Sequence, residues 1–550
     1  MDEREGIHMM DLKRQRKLIN LFLGLAYFTC LSRFIPLCNQ IGEEGVGLFA
    51  AAFLIYFAYM LLVREVFSEQ VSRMINARMR RDQYKNAGQV FDFSLVAGLV
   101  TGLIVCGLMF LTADFWAEKI LLMSQAANVI RYMAPAFAFG TVTVVFSAYL
   151  KGVGDHITDA LLRLATELVI SLLCIMMSGS AYRHGMQVAD LLHQDIFASA
   201  YGARGCGLAV SLGSFLMLLV YILFYAQTKV AFKRRTMKDG YSREEETAAY
   251  TRTLFATPAI SYAVVFLAGL SLILQERILI YRINLLNQSD PALSLNAYAV
   301  FGRYYGKGIL FVLFPIAVIY TIYHGMAGYI RKALNQDDRK GVRESMQTRL
   351  RKYMAVILPI TVFTAVYAKP LMGFVSNGTI SDVSGAVTAG ALSVFFFGLA
   401  YMYAQICVAM DKKLYITAIQ IFAFLLHLLV MQIGSKVCAN PATAIGIAQL
   451  VTAMMMAVVY GVLMTMQLDY RHNFRHLIKP LIASAVSGGL GLLIVLLLNG
   501  KAADILVLLI GGIVFLILYL IIMASLHGFS KKELSALPGG EFLIRLFYYR

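Results

Sequence analysis

The chain has 550 residues, 59% of them hydrophobic and 15% charged, with a mean hydropathy of +0.69. Soluble domains do not carry apolar runs of this density, so membrane spans are the first expectation. The net charge of +17 comes from 49 Lys and Arg against 32 Asp and Glu. Those basic residues sit in short loops between apolar runs, where orientation in a bilayer accounts for them and nucleic acid is not an expected partner.

About fourteen apolar stretches follow one another, each long enough for roughly 30 Å of hydrocarbon at about 1.5 Å per residue. Their cores fall at 18–38, 46–63, 92–112, 130–150, 157–178, 205–226, 256–283, 297–323, 353–375, 388–410, 414–434, 443–466, 478–498 and 503–526. The fold class predicted is therefore an all-α polytopic membrane protein. The first stretch follows KRQRK and carries Arg33. It shows no small-residue cleavage site and reads as a retained span.

The loops alternate in charge. KRQRK, NARMRRDQYK, KRRTMKDGYSREEE, RKALNQDDRKGVRESMQTRLRK, Lys412–Lys413, DYRHNFRHLIK and the KKE of the tail fall on one side. Glu43, Glu44, Asp290 and Asp382 fall on the other. The positive-inside rule then puts both termini in the cytoplasm, as an even span count requires.

The basic segment 229–252 divides the chain into an N-terminal lobe, 1–228, and a C-terminal lobe, 253–470, followed by a final pair of spans and tail, 471–550. Asp155 and Asp411 hold matching places after the fourth span of each lobe, and Asp82 and Asp337 after the second. Six spans per lobe give both lobes the same orientation, about an axis along the membrane normal. Pro36, Pro135, Pro258, Pro315 and Pro359 punctuate spans and are candidate kinks.

Enzymatic signatures are missing. HExxH, Walker and GxSxG patterns are not present, and the seven cysteines form no CxxC pair. The expectation is a non-enzyme with no cofactor and no metal.

The residues that ask for an explanation are charged ones within spans, because an isolated charge in hydrocarbon is costly. Arg33 lies in the first span, Arg64 closes the second, Arg163 and Glu167 lie in the fifth, Glu276, Arg277 and Arg282 in the seventh, and Arg303 and Lys307 in the eighth. Arg163 and Glu167 are four apart and can neutralise each other on one helix. Arg33, Arg303 and Lys307 have no acid at helical spacing. They require an acid from another helix, water or a ligand, and Glu276 is the acid available. A surplus of Arg and Lys suits a phosphate or diphosphate, since guanidinium forks onto phosphate oxygens. Arg33, Arg64, Arg303 and Lys307 are the candidate substrate-binding residues. Glu276 and Glu167 are candidate coupling or structural acids.

Three segments resemble a known group. IGEEGVGLFAAAFLIYFAYMLLVREVFSEQVSRMINARMR is similar to the second span and its extension in the multidrug/oligosaccharidyl-lipid/polysaccharide exporter superfamily. MAPAFAFGTVTVVFSAYLKGVGDHITDALLRLATELV resembles its fourth-to-fifth-span hairpin, and HGMAGYIRKALNQDDRKGVRESMQTRLRKYMAVILPITV its eighth-to-ninth-span link. The branch resembled is that of polysaccharide and lipid II flippases, including the stage V sporulation protein B group. This resemblance implies a bacterial cytoplasmic membrane protein that exports undecaprenyl-diphosphate-linked sugars by alternating access. It also implies cavity arginines, here Arg33, Arg64 and Arg303, on the diphosphate. The partners expected are the lipid-diphosphate-linked sugar and membrane lipids, with the protein monomeric. The chain departs from the group's pattern at Ser68–Gln70, at Lys151 and at Ala165–Glu167. An ion-coupled multidrug antiporter is the alternative within the superfamily, with Glu276 as its cavity acid.

Overall fold

The computed structural model describes residues 2–237, 239–243, 245–290, 295–323, 325–376, 383–468, 474–498, 501–528 and 544–545. Asp382, the start of the DYRHNFRHLIK loop and the KKE tail lie outside the described residues. Among those described, all regular structure is helical.

Among the described residues, twelve helical runs are long and apolar enough to cross a membrane, and a thirteenth is made by Arg339–Val366 with Ala368–Val375, bent by 67°. The first run, Arg14–Met79, has 66 residues. At about 1.5 Å per residue it would extend about 99 Å, some three bilayer cores. It is not one crossing. The backbone leaves the helical region at Gly42, with φ +72° and ψ 171°. Only glycine adopts that conformation without strain. The run therefore divides there into two crossings, and the thirteen become fourteen. The chain is an all-α polytopic membrane protein.

Two compact units are formed, Met1–Gly306 and Lys307–Arg550. The first contains α1 (Asp2–Ser32), α2 (Phe34–Leu61), a π-helical turn (Leu62–Phe67), α3 (Ser68–Met79), α4 (Tyr84–Leu111), α5 (Ala126–Val153), α6 (His156–Leu192), α7 (Ile196–Met237), α8 (Thr247–Thr251), α9 (Ala259–Ser289) and α10 (Ala297–Arg303). Helix α5 is buried along most of its length and packs against α4 and α7, while α6 packs on both α7 and α1. Helix α2 lies against α7, α9 and α10. Its approach to α10 is close enough that a Cβ on Gly302 would overlap the Glu43 carbonyl oxygen, and one on Gly47 the Tyr298 carbonyl oxygen.

The linker after α7 folds back onto the α3–α4 corner. The Asp239 carboxylate accepts from the Lys85 amide at 2.7 Å and from the Tyr241 and Ser242 amides at 2.9 and 3.0 Å. Glu245 receives Arg78 Nε at 3.0 Å and Asn86 Nδ2 at 3.1 Å.

The second unit contains α11 (Ile309–Leu313), α12 (Pro315–Tyr323), α13 (Met326–Asn335), α14 (Arg339–Val366), α15 (Ala368–Val375), α16 (Ser384–Ala409), α17 (Lys413–Val437), α18 (Thr443–Leu468), α19 (Phe474–Leu498) and α20 (Asp504–Ser525). Its basic segment does more than orient the chain. Arg349 donates to the Ile322 carbonyl at 2.6 Å, Arg331 to Val408 at 3.2 Å and Arg343 to Leu468 at 3.1 Å. These carbonyls end α12, α16 and α18, where helices leave acceptors unpaired and favour positive charge. Helices α19 and α20 pack on α14 and α15 through Tyr367, Leu371, Val495 and Val507, and Tyr519 donates to the Ala355 carbonyl at 2.7 Å.

The same left-handed corner recurs in each unit. Asp82 (φ 58°) and Asp337 (φ 53°) turn the chain before α4 and α14. Gly154 (φ 95°) and Asp411 (φ 58°) do so before α6 and α17. Asp155 instead caps α6, accepting from the Thr158 amide at 3.2 Å, so the sequence alignment of Asp155 with Asp411 is one residue out of register. Of the expected proline kinks, Pro135 and Pro359 sit inside α5 and α14, whereas Pro258 precedes α9 and Pro315 opens α12.

Candidate functional site

An arginine–carboxylate cluster lies inside the first unit. Arg33 stands where α1 passes into α2, near Pro36, which has no amide to donate to the preceding turn. Its Nε donates to the Cys30 carbonyl at 2.9 Å, and its guanidinium lies 5.5 Å from the Phe53 ring centroid. The Arg33 side chain is 1% exposed, and its Nη2 pairs with Glu167 Oε2 on α6. The other oxygen of Glu167 faces Arg64 Nη1 at 3.7 Å, from a side chain that is 37% exposed. One carboxylate thus serves two guanidiniums.

Arg163 does not pair with Glu167 one turn away. It takes Asp159 one turn in the other direction, at 3.1 Å, and Ser147 Oγ on α5 at 3.2 Å. Ser147 in turn donates to Asp159. The pairing follows from demand: Glu167 is already held by cations from two other elements. Three guanidiniums, Arg33, Arg64 and Arg163, here meet Asp159 and Glu167, and Glu65 and Glu69 act on Lys151 close by. Lys151 of α5 lies nearby, with its ammonium 3.4 Å from Ser68 Oγ.

A cleft opens beside the cluster between α2, α5, α6 and α7. Arg64 and Arg163 line it with the hydroxyls of Tyr56, Thr143, Ser147, Thr166, Ser214 and Tyr221. Its enclosed room is about 30 Å³, enough for a water or two. The cleft lies toward the helix ends that lead to basic loops.

The other predicted residues are elsewhere. Arg303 ends α10 and pairs with Glu43 of α2, while Asn296 at the start of α10 donates to Glu44 and accepts from the Tyr298 and Ala299 amides at 3.0 and 3.1 Å. The Gly302 contact positions this pair, because it brings the Glu43 backbone against the residue before Arg303. Lys307 is buried in the second unit. The α-helical spacing assumed between Arg303 and Lys307 is broken by a π-helical turn, Tyr304–Gly308.

Glu276, the acid that the sequence offered, is not the partner of Arg33, which takes Glu167. Glu276 on α9 is fully buried, and neither carboxylate oxygen has a hydrogen-bond partner among the described residues. Its neighbour Gln275 donates to the Tyr305 hydroxyl at 3.2 Å. Arg277 reaches the Lys119 carbonyl.

Arg33 and Arg303, which have no acid at helical spacing, each find one on another helix. The reading from sequence missed Arg204, which lies over the Tyr201 ring at 4.3 Å with its Nε buried and unpaired. The sixth apolar core begins at 205, but α7 starts at Ile196, so Arg204 is two turns inside the helix. The helix-compatible sequence from Ile196 onward was the signal that could have found it.

No family model matches the chain, and no curated protein matches it. Solved structures do. An inward-facing multidrug-resistance MATE family transporter of the MOP superfamily aligns with a TM-score of 0.57 at 13% identity, over 82% of this chain and 94% of that one. An outward-facing structure of a MATE family transporter of that superfamily gives 0.54 at 14% identity, over 83% and 96%. A MOP superfamily transporter from Pyrococcus furiosus, described as having a binding pocket of reversed polarity that suggests a different function, gives 0.52 at 14% identity over the same shares. The chain has the fold of the MATE family transporters of the MOP superfamily.

Proposed function

We propose that this protein moves a lipid-linked, diphosphate-bearing saccharide across the cytoplasmic membrane by alternating access, acting as a monomer and without covalent chemistry. The observation that carries this reading is the grouping of the Arg33, Arg64 and Arg163 guanidiniums on helices long and apolar enough to span the bilayer. Guanidiniums gathered in a low-dielectric interior suit an anionic passenger better than a cationic one. Arginine is suited to phosphate because its planar fork gives paired hydrogen bonds. Structures of the same fold in inward-facing and outward-facing conformations support alternating access. Pocket polarity has itself been taken as a sign of different function in one of them.

Arg303 enters this reading as a further cargo contact, released from Glu43 when it engages. The undecaprenyl carrier rests on the sequence resemblance.

A second reading has its own observation. Glu276 is a buried carboxylate with no hydrogen-bond partner among the described residues, the kind of group an ion-coupled multidrug antiporter uses.

One assay separates the two. Proteoliposomes loaded with fluorescent lipid-linked saccharide are probed for its arrival on the opposite leaflet, in parallel with efflux of a cationic dye. The flippase reading expects leaflet exchange that falls at least tenfold in Arg33→Ala and Arg64→Ala and persists in Glu276→Gln. Dye efflux abolished by Glu276→Gln, with no saccharide exchange in any protein, is the result that replaces it with the antiporter.

A further inference from the structure

We propose that the cleft beside Arg64 and Arg163 is a phosphate subsite that the protein keeps closed with its own acid, Glu167 acting as a displaceable internal counter-ion. This rests on the diphosphate reading and adds the residues and the exchange by which the cargo is seated and released.

The chemistry of the lining is that of an oxyanion site. Arg64 from the π-helical turn and Arg163 from α6 line it with Tyr56, Thr143, Ser147, Thr166, Ser214 and Tyr221, and no carboxylate is among its lining residues. The Thr143, Thr166 and Ser147 hydroxyls already donate to the Phe139 and Leu162 carbonyls and to Asp159, so the two guanidiniums are the groups that would hold a phosphate. The cleft is partly open, and the room within it, about 30 Å³, is that of water rather than of a phosphate group. A side chain must therefore yield before an anion enters.

Arg64 is the lining side chain placed to yield, and what holds it is Glu167, which stands behind the lining. The two contacts of Glu167 are unequal. Oε2 is held by a guanidinium that is 1% exposed, and Oε1 stands 3.7 Å from one that is 37% exposed. The second contact is longer than a hydrogen bond and partly solvated, so it contributes little and is readily exchanged.

The buried end of the cluster holds the compensation. Arg33 Nη1 is buried and has no hydrogen-bond partner among the described residues. An orphaned donor on a buried guanidinium is costly and calls for a reason. When Glu167 leaves Arg64, its second oxygen can take this donor and form a paired fork on Arg33. Arg64 is then free to turn to a phosphate oxygen. Two arrangements follow. In the empty state Glu167 bridges Arg33 and Arg64. In the loaded state Glu167 sits wholly on Arg33, and the phosphate occupies Arg64 and Arg163. Asp159, which shares Arg163 with Ser147, limits how tightly the phosphate is held in the same way.

The test is equilibrium binding to the full chain in nanodiscs, read by isothermal titration calorimetry. The probes are a short polyprenyl diphosphate and, separately, inorganic diphosphate. Wild type is expected to bind the polyprenyl diphosphate. Glu167→Gln removes the competitor and should tighten binding about tenfold while slowing release. Glu167→Asp, shortened by one methylene, keeps the Arg33 pair but cannot reach Arg64, and should tighten it as well, which guards against misfolding of the first variant. Arg64→Ala should weaken binding at least tenfold. So should Arg163→Ala made together with Asp159→Asn, which avoids stranding a buried acid.

Unchanged or weaker binding in both Glu167 variants overturns the counter-ion. Binding indifferent to Arg64 and to the Arg163/Asp159 pair overturns the subsite. Binding of inorganic diphosphate alone, with these sensitivities intact, supports the subsite and assigns it to a soluble anion. That outcome, or intact binding with no leaflet exchange of saccharide, removes the flippase reading and leaves the subsite standing.

Discussion

Arg303 shows how much of an intramembrane charge is decided by residues that carry none. Its carboxylate partner is 260 residues away in sequence, and that of Arg33 is 134 away. Helical spacing identifies charges without a local partner, but it cannot name a partner on a distant helix. The arginines were thus legible as problems and their solutions were not. What brings Arg303 to Glu43 is Gly302, which lets two backbones touch. Gly302→Ala places a methyl group on a main-chain oxygen that has no rotamer to escape into. Forcing helices apart in a packed interior costs about 1–3 kcal/mol, occasionally more. The expected outcome is a clear fall in melting temperature of the detergent-purified protein, with lost activity. Gly24→Ala and Gly107→Ala are the controls, since a Cβ at either meets nothing within 4 Å. Each should leave the melting temperature unchanged or slightly raised, because alanine favours helix over glycine by about 0.5–1 kcal/mol. A Gly302→Ala protein as stable as these controls would mean the close approach is not required.

At the scale of elements, long apolar runs were the easiest thing to read and their interruptions the hardest. Hydropathy sees composition, so the spans emerged directly. It does not see the π-helical turns at Leu62–Phe67 and Tyr304–Gly308, which depend on packing and leave no mark in composition. The linker after α7 is a further example. It reads as a basic topological loop, yet its acids do the structural work. Burial alone would raise the Asp239 carboxyl. The Lys85 amide, the Ser242 hydroxyl and the Tyr241 and Ser242 amides override that and hold it well below the usual carboxylate range. Glu245 is likewise lowered against its burial, chiefly by Arg78. A carboxylate lowered by folding stabilises the folded form above its unfolded value, about 3.9 for Asp and 4.3 for Glu, and loses that contribution as pH falls through the folded value. Protection of the 239–245 segment from limited proteolysis should therefore be flat from about pH 7 to 5 and decline only below about pH 4. Asp239→Asn should cut faster, several-fold, at neutral pH. Protection that instead declined between pH 7 and 5 would show that these carboxylates do not hold the linker.

For the whole molecule, the number of crossings decides which side each charged corner faces, and so which face the Arg64–Arg163 cleft opens toward. Charge alternation in the loops was sufficient to propose fourteen. The backbone supports that number only because Gly42 breaks a 66-residue run that length and apolarity alone count once. If that run crossed the membrane a single time, every later corner up to the end of the first unit would change sides. The cleft would then open to the compartment opposite the N-terminus. Single cysteines at Arg14 and Asp82, in a background with the seven native cysteines replaced, test this with a membrane-impermeant thiol reagent. Two crossings between them put both on the same, cytoplasmic side, so neither should label in intact cells and both should label after permeabilisation. A third cysteine at Asp195, beyond three further crossings, should label from outside. Opposite labelling of Arg14 and Asp82 would remove the crossing at Gly42. It would also put the guanidinium cluster out of reach of a headgroup made in the cytoplasm, which is where a lipid-linked saccharide must be received if Arg64 and Arg163 are to take its phosphate before the protein turns outward.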